Sequence, residues 1–385
     1  MKVLVVSHIN NLSGANKSMI SIINELDKKI NFSLLVSGKS DVLKNKVNNN
    51  VKVIYSNYGW WYAKPRNNIF KGIYRFSMDA FKYYSNKKID KKLIEVLKNQ
   101  NFDLVYTNTS TVDIGFKISK ILNIPHIWHI REFGKEDFGF IPVVSKKYIN
   151  KCLNSSQAII TISNALKDKY NKIVNKEKLY VIYNGFDIDK LLYKPKKHNF
   201  DKNVNILISG QVSEGKGQKQ AVEAISKLND MGYSIKLFIA GDINKDYLKS
   251  IIHTYGKPNW LKILGKVDDM YKLRNEMDIE LICSKSEAFG RVTVEAMLHG
   301  VPVIGAASGG TLELIKDGTT GMLYKQNNVE ELANKIKVII DNPELYNKIS
   351  VNAYEFAKGF TISNTANEVY NIFKKITKNK KRYNE

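Results

Sequence analysis

The feature that most restricts this chain is a rhythm that occurs twice. Short apolar runs alternate with segments of helical periodicity, and one lysine-rich stretch without a period, ending near Asn203, interrupts the pattern. The first run, residues 2–7 (KVLVVS), is rich in valine and suits a strand buried on both faces of a parallel sheet. A polar loop from Asn10 to Lys17 follows, and then Met19, Ile22, Ile23 and Leu26 fall at helical spacing. Further strands are predicted at 32–36, 51–55, 103–107, 126–130 and 158–162, with a helix near 90–99. Such alternation argues for a parallel sheet with helices on both faces.

The rhythm pauses over 184–203, where Asn184-Gly185-Phe186-Asp187 is turn chemistry. It resumes with strands at 204–209, 235–240, 261–264, 279–283, 302–305 and 322–324 and a helix at 218–228. A chain of 385 residues is comfortable as two domains. The expected division is a first domain over 1–184, a linker over 185–203 and a second domain over 204–360. A tail helix over 361–385, ending in the basic run Lys378 to Arg382, is expected to pack back on the first domain.

Three loops of the second half lie just after a strand and before a helix, at the carboxyl edge where open α/β sheets bind ligands. In Ser209-Gly210-Gln211-Val212-Ser213-Glu214-Gly215-Lys216-Gly217, three glycines permit close backbone approach and Lys216 offers a charge for phosphate. The spacing is not that of a P-loop. In the second loop, Glu287 precedes Phe289 and Gly290, and Glu295 lies on the helix that follows, which Gly300 and Pro302 stop. Eight helical residues rise about 12 Å, which does not favour a hydrolase pair with carboxyls roughly 5–9.5 Å apart. Carboxylates also accept well from sugar and ribose hydroxyls. The third loop, Ser308-Gly309-Gly310-Thr311, presents backbone N–H groups at a helix start, a phosphate-binding arrangement. A plain turn, a surface lysine and a solvated glutamate are the bland readings of the same loops. The apolar neighbours Val292, Val294, Ala296 and Met297 weigh against the last for Glu295.

The run from Glu287 to Glu295, with Gly300-Val-Pro-Val, Gly309-Gly310 and Glu313, resembles the Glu-x7-Glu region of glycosyltransferase family 4, retaining enzymes of the GT-B fold. Gly14, His129, Asn184-Gly185 and Lys216-Gly217 match in order, so the resemblance spans nearly the whole chain. It implies two Rossmann-like doubly wound domains facing a deep cleft, with the donor on the second and the acceptor on the first. It implies that Glu287 meets donor sugar hydroxyls and Glu295 the ribose. Lys216 stabilises the diphosphate, aided by backbone near Gly14, Gly309, Gly310 and Thr311. Gln211, Phe289 and Gly290 line the same site, and backbone at Lys266 and Val267 meets the base. His129 lines the cleft as a third catalytic candidate, against the reading of a satisfied core histidine, and Arg131 is the acceptor candidate. Gln211 stands where the family often has an arginine, and Lys285 or Arg291 is the expected compensation.

The implied co-substrate is a nucleotide-diphosphate sugar, UDP-linked in preference to GDP-linked, with no cofactor and no metal. Asp187-Ile188-Asp189 mimics a metal-binding Asp-x-Asp but lies in the linker turn. The implied acceptor is a glycan or lipid-linked hydroxyl in bacterial polysaccharide or glycolipid assembly.

Composition adds limits. No apolar stretch reaches the ~18 residues of a membrane span, Val3 to Val6 is too short for a signal core, and two cysteines form no disulfide or zinc pattern. A cytoplasmic protein is expected, peripheral on the inner membrane face in one reading. Of 60 basic residues only six are arginine, and Asn and Ile are abundant, a bias that an AT-rich genome would produce, so one reading of the net charge of +23 is compositional. The functional reading of that charge is attraction to an anionic surface. Over 58–84, Trp60, Trp61, Tyr62, Phe70, Tyr74, Phe76, Phe81, Tyr83 and Tyr84 interleave with Lys64, Arg66, Lys71, Arg75 and Lys82. Ile69, Ile73, Phe76 and Ala80 keep helical spacing, which predicts either a helix packed on the sheet or an interfacial helix on anionic lipid. Two rivals remain: a nucleotide-sugar 2-epimerase on the same fold, and a basic nucleic-acid- or membrane-binding protein without catalysis. The basic residues are spread out and form no nucleic-acid motif, so no specific nucleic-acid partner is expected.

Overall fold

The computed structural model describes residues 1–64, 69–86, 88–188 and 203–383, the side chains of 69 and 379–383 excepted. The chain divides into two compact units, Met1–Phe186 with Thr361–Glu385, and Asp187–Phe360.

Among the described residues the first unit has nine strands: β1 (Lys2–Val6), β2 (Asn31–Ser37), β3 (Lys52–Ser56), β4 (Tyr62–Ala63), β5 (Leu104–Asn108), β6 (His126–Ile130), β7 (Ile141–Pro142), β8 (Ala158–Thr161) and β9 (Leu179–Val181). Seven form a sheet in the order β3-β2-β1-β5-β6-β8-β9, with every pairing parallel. β4 and β7 form a separate antiparallel pair. β1 shows why its sequence is uniformly apolar. Val3 and Val5 enter one core with Met19, Ile22 and Ile23 of the helix Gly14–Leu26. Leu4 and Val6 enter another with Leu93, Leu97 and Ile118. Alternate residues thus serve opposite faces of a sheet covered on both. The tail helix Ile362–Tyr383 seals the first of these cores with Ala366, Val369, Ile372, Phe373 and Ile376, and Phe373 meets Tyr106 edge-on at 5.1 Å.

The second unit has β10 (Val204–Ser209), β11 (Ile235–Ala240), β12 (Leu261–Gly265), β13 (Ile279–Ile282), β14 (Val303–Ala306) and β15 (Met322–Tyr324). Its order is β12-β11-β10-β13-β14-β15, again parallel throughout. In each sheet the order reverses between two central strands, β1 and β5 in one and β10 and β13 in the other. Ligands of doubly wound folds bind beyond the carboxyl ends at such a reversal.

Of the two arrangements expected of the helix Ile69–Ser85, burial of the stripe on the sheet is not seen at Ile73 and Phe76. Its inner side carries Tyr83, 2% exposed, whose hydroxyl donates to Asp113 Oδ2 at 2.6 Å. Its apolar residues face outward: Phe70, Tyr74 and Phe81 are 83%, 68% and 70% exposed. Ile73 and Phe76, on the stripe read as the packing face, are also exposed. Lys71 and Lys82 flank this outward face, and both are exposed. Arg66, from the same basic-aromatic stretch, lies outside the described residues, as do Asp189 and most of the proposed linker.

Candidate active site

The reversal in the second unit places two loops side by side. The loop after β10 ends in a short turn, Glu214–Lys216, and Gly217 then starts the helix Gln218–Asp230. Gly217 has φ +71°, and a β-carbon there would fall 2.2 Å from the Cys283 carbonyl oxygen, so only glycine lets the loop press against the end of β13. The Lys285 amide donates to the Gly215 carbonyl at 2.8 Å, which closes the contact. On this frame the Lys216 ammonium bonds Glu287 Oε1, and Ser284 Oγ donates to the same oxygen at 2.6 Å.

The loop after β14 completes the group. At Gly309, φ +52°, a β-carbon would lie 2.4 Å from the Glu287 carbonyl oxygen, and the Gly310 amide donates to that oxygen at 2.7 Å. Lys216, Glu287, Gly309 and Gly310 are therefore neighbours, as their shared edge position predicts. The other donor candidates occupy varied places. Gln211 is exposed, and its carbonyl accepts from Gln218 Nε2 at 3.1 Å. Lys266 is exposed and Val267 half-buried, both just beyond β12. Phe289 is buried edge-on to Phe360 at 5.8 Å, and Gly290, also buried, precedes the helix Arg291–Leu298. Thr311 is buried, with its amide bonded to the Ser308 carbonyl at 3.1 Å.

Glu295 sits among two guanidinium groups. Arg291 donates to its Oε1 at 3.2 Å and Arg274 to its Oε2 at 3.1 Å. Arg291, expected to make up for the missing charge at Gln211, thus serves Glu295. Arg274 is only 3% exposed and also pairs with Glu280, Nε to Oε2 at 2.8 Å. Glu280 lies within β13, fully buried, and accepts from Ser209 Oγ at 2.5 Å. Burial opposes the charge of Arg274, yet the two carboxylates raise its pKa above the ordinary arginine value. Neither Arg274 nor Glu280 stood out among the candidate site residues. Their signal was present: a glutamate inside the apolar run IELI, and an arginine in a chain that otherwise prefers lysine.

At the carboxyl edge of the first unit, His129 is fully buried. Its Nδ1 is bonded to the Tyr106 hydroxyl and lies 3.2 Å from an Arg131 nitrogen, while its Nε2 has no hydrogen-bond partner among the described residues. Burial, reinforced by Arg131, holds its pKa well below the ordinary value, so the ring is neutral at neutral pH. Arg131 is itself buried and donates to Asn108 and to Asn184 Oδ1, the latter at 2.6 Å. Beside it Glu132, unremarked in the sequence, accepts at Oε1 from the Ser110 amide and hydroxyl at 2.6 and 2.7 Å. Burial pushes the Glu132 carboxyl up to about 7 despite those bonds. Gly14 opens the helix Gly14–Leu26, capped by Ser13, in the loop region after β1.

Two family models match the chain. Residues 12–190 match Glycosyltransferase Family 4 and residues 190–356 match Glycosyl transferases group 1. An uncharacterized glycosyltransferase of Methanocaldococcus jannaschii is 27% identical over 295 residues, 75% of this chain and 79% of that protein. CapM of Staphylococcus aureus, a capsular polysaccharide biosynthesis glycosyltransferase, is 25% identical over 214 residues, 50% of this chain and 55% of CapM. The fold is shared with Anabaena HepE, solved in complex with UDP, at a TM-score of 0.77 and 23% identity over 97% of this chain and 100% of that one.

Proposed function

Because the chain belongs to glycosyltransferase family 4, with the GT-B fold, we propose that it is a retaining transferase that moves a sugar from a UDP-sugar to a glycan or lipid-linked hydroxyl. The observation that carries this reading is the meeting of Lys216, Glu287 and the Gly309-Gly310 backbone at the strand reversal of the second unit. A lysine in a glycine-rich loop suits a diphosphate, and a carboxylate beside it suits sugar hydroxyls. Glu295, one helix further on, suits the ribose. That HepE was solved with UDP and with UDP-glucose supports uracil rather than guanine as the base of this chain's donor.

In this reaction the bond from the anomeric carbon to the diphosphate oxygen breaks, and a bond to the acceptor oxygen forms on the same face. The acceptor proton passes to a departing phosphate oxygen. Negative charge builds on the diphosphate as the bond breaks, so a lysine positioned beforehand stabilises the transition state more than the ground state. Lys216 has that role. Glu287 orients the sugar, His129 is kept as a catalytic candidate, and Arg131, which donates to the side chains of Asn108 and Asn184, is kept as the acceptor candidate. This scheme asks for no metal. The likeness to CapM supports a place in surface polysaccharide assembly.

The outward apolar face of Ile69–Ser85, flanked by Lys71 and Lys82, supports a second part of the reading, a peripheral seat on anionic lipid close to a lipid-linked acceptor. Among the described residues no helix is long and apolar enough to cross a membrane.

Incubation with UDP-sugars and a preparation of lipid-linked glycans tests the reaction. Release of UDP with a new glycosidic bond of unchanged anomeric configuration, insensitive to EDTA, is the expected result. Conversion of the donor alone to an epimer or free sugar would favour the epimerase instead.

A further inference from the structure

The carboxylate assigned to the ribose is held by a buried ion network that extends away from it into the sheet. Glu295 is an i, i+4 partner of Arg291, a half-exposed contact of the kind that contributes little by itself. Arg274 differs. Its side chain, from the last turn of the helix Met270–Asn275, is 3% exposed, and its three nitrogens reach two carboxylates. Nε and NH2 meet Glu280 at 2.8 and 3.4 Å, and NH1 meets Glu295 Oε2 at 3.1 Å. Glu280 is 0% exposed and is fixed in turn by Ser209 Oγ at 2.5 Å.

Stability alone is a poor account of such a pair. A buried ion pair gains little over apolar residues of equal volume, because both ions lose their hydration. What it does supply is direction. A guanidinium is a rigid fork, and one arm held by Glu280 leaves another aimed at a fixed point. That point is one oxygen of Glu295. Ser209 ends β10, Glu280 lies in β13 and Arg274 lies in the last turn of the helix before β13, so the contacts that reach Glu295 are rooted in the sheet.

We propose that Arg274, anchored by Glu280 and Ser209, is the positioning residue that orients the Glu295 carboxylate toward the two ribose hydroxyls of the donor nucleotide. The inference rests on the donor-site reading above, in which Glu295 meets the ribose. Arg274 touches neither sugar nor phosphate in this scheme. It holds Glu295 in one rotamer, so that hydrogen bonds to the 2′ and 3′ hydroxyls form without first ordering a free side chain.

The test is calorimetric binding of UDP and of 2′,3′-dideoxy-UDP to the full chain. In the wild type the ribose hydroxyls are expected to be worth at least ~10-fold in Kd, a hydrogen bond to a charged group having about that effect. Arg274→Gln is expected to bring the two ligands within ~3-fold of each other, by weakening UDP and leaving the dideoxy ligand nearly unchanged. Arg274→Lys, which keeps the charge and loses the fork, is expected to restore only part of the ratio. In a Glu295→Ala background, Arg274→Gln is expected to change the ratio no further. Arg274→Gln also leaves Glu280 buried without its partner and risks misfolding. The double variant Arg274→Met, Glu280→Met removes both buried charges and is expected to fold and still show the collapsed ratio. A folded Arg274 variant that keeps the wild-type ratio overturns the positioning role. A wild type that does not distinguish the two ligands, or binds neither, overturns the donor-site reading, and the proposal falls with it.

Discussion

Lys216 and Glu287, 71 residues apart in sequence, are joined by an ion pair between the loops that follow the two central strands of the second unit. The pair links a cation suited to phosphate with a carboxylate suited to sugar hydroxyls, and it puts both beside the backbone of Gly309 and Gly310.

Removal of the cation is expected to slow chemistry more than binding. Lys216→Ala should lower kcat by roughly 10²–10³-fold, the scale of losing one donor to a developing oxyanion. KM for the donor should move much less. Steady-state kinetics with a productive donor and acceptor check this, and an unchanged kcat would return Lys216 to the status of a surface lysine.

Glu295→Ala should behave in the opposite way. A ribose contact is made about equally in ground and transition states, so its loss appears in KM while kcat stays within a few-fold. The expected rise in donor KM is roughly 10-fold or more, from the loss of charged hydrogen bonds. A fall in kcat at unchanged KM would move Glu295 from the ribose to the reacting sugar.

Glu132 predicts a pH dependence of stability. Its carboxyl is raised from 4.5 to about 7 in the fold, so the folded chain holds that proton more tightly than the unfolded chain. Its contribution is fully present below about pH 4.5 and is lost as pH rises through about 7. The full swing is roughly 3 kcal/mol at 1.36 kcal/mol per unit. Between pH 5 and 8 the thermal midpoint of the wild type should therefore fall relative to that of Glu132→Gln. A difference that stays constant over this range would show that Glu132 ionises as freely in the fold as outside it.

The outward face of Ile69–Ser85 predicts sedimentation with vesicles containing anionic lipid and weaker sedimentation with neutral ones. Replacing Phe70 and Phe81 with serine should reduce binding to both, whereas replacing Lys71 and Lys82 with serine should reduce only the anionic preference. Equal binding by all variants would remove the membrane from this account.

Much of this organisation was legible in the residues because parallel strands buried on both faces read as continuous apolar runs. KVLVVS and VNILIS are such runs, and the structure has strands at Lys2–Val6 and Val204–Ser209. The short strands Tyr62–Ala63, Ile141–Pro142 and Leu179–Val181 lie outside the strands predicted from the sequence. The grouping of Lys216, Glu287, Gly309 and Gly310 followed from edge position, which the order of elements already implies. The network of Arg274, Glu280 and Ser209 did not, because it depends on which strands are neighbours: β10 and β13 are adjacent in the sheet yet separated by two strands in sequence. The stripe Ile69, Ile73, Phe76 and Ala80 has the spacing of a packed face, but spacing does not say what the face packs against, and here Tyr83 on another side makes the anchoring contact.

The central claim is that the second unit binds a nucleoside diphosphate through the residues gathered at its strand reversal. Isothermal titration of the full chain with UDP, beside GDP as comparison, tests it most directly when the wild type is run with Lys216→Ala and Glu295→Ala. The account predicts saturable one-site binding of UDP, weaker binding of GDP, and UDP affinity reduced roughly 10-fold or more by Glu295→Ala and also lowered by Lys216→Ala. No binding of either nucleotide, or UDP binding that both variants leave unchanged, would contradict it.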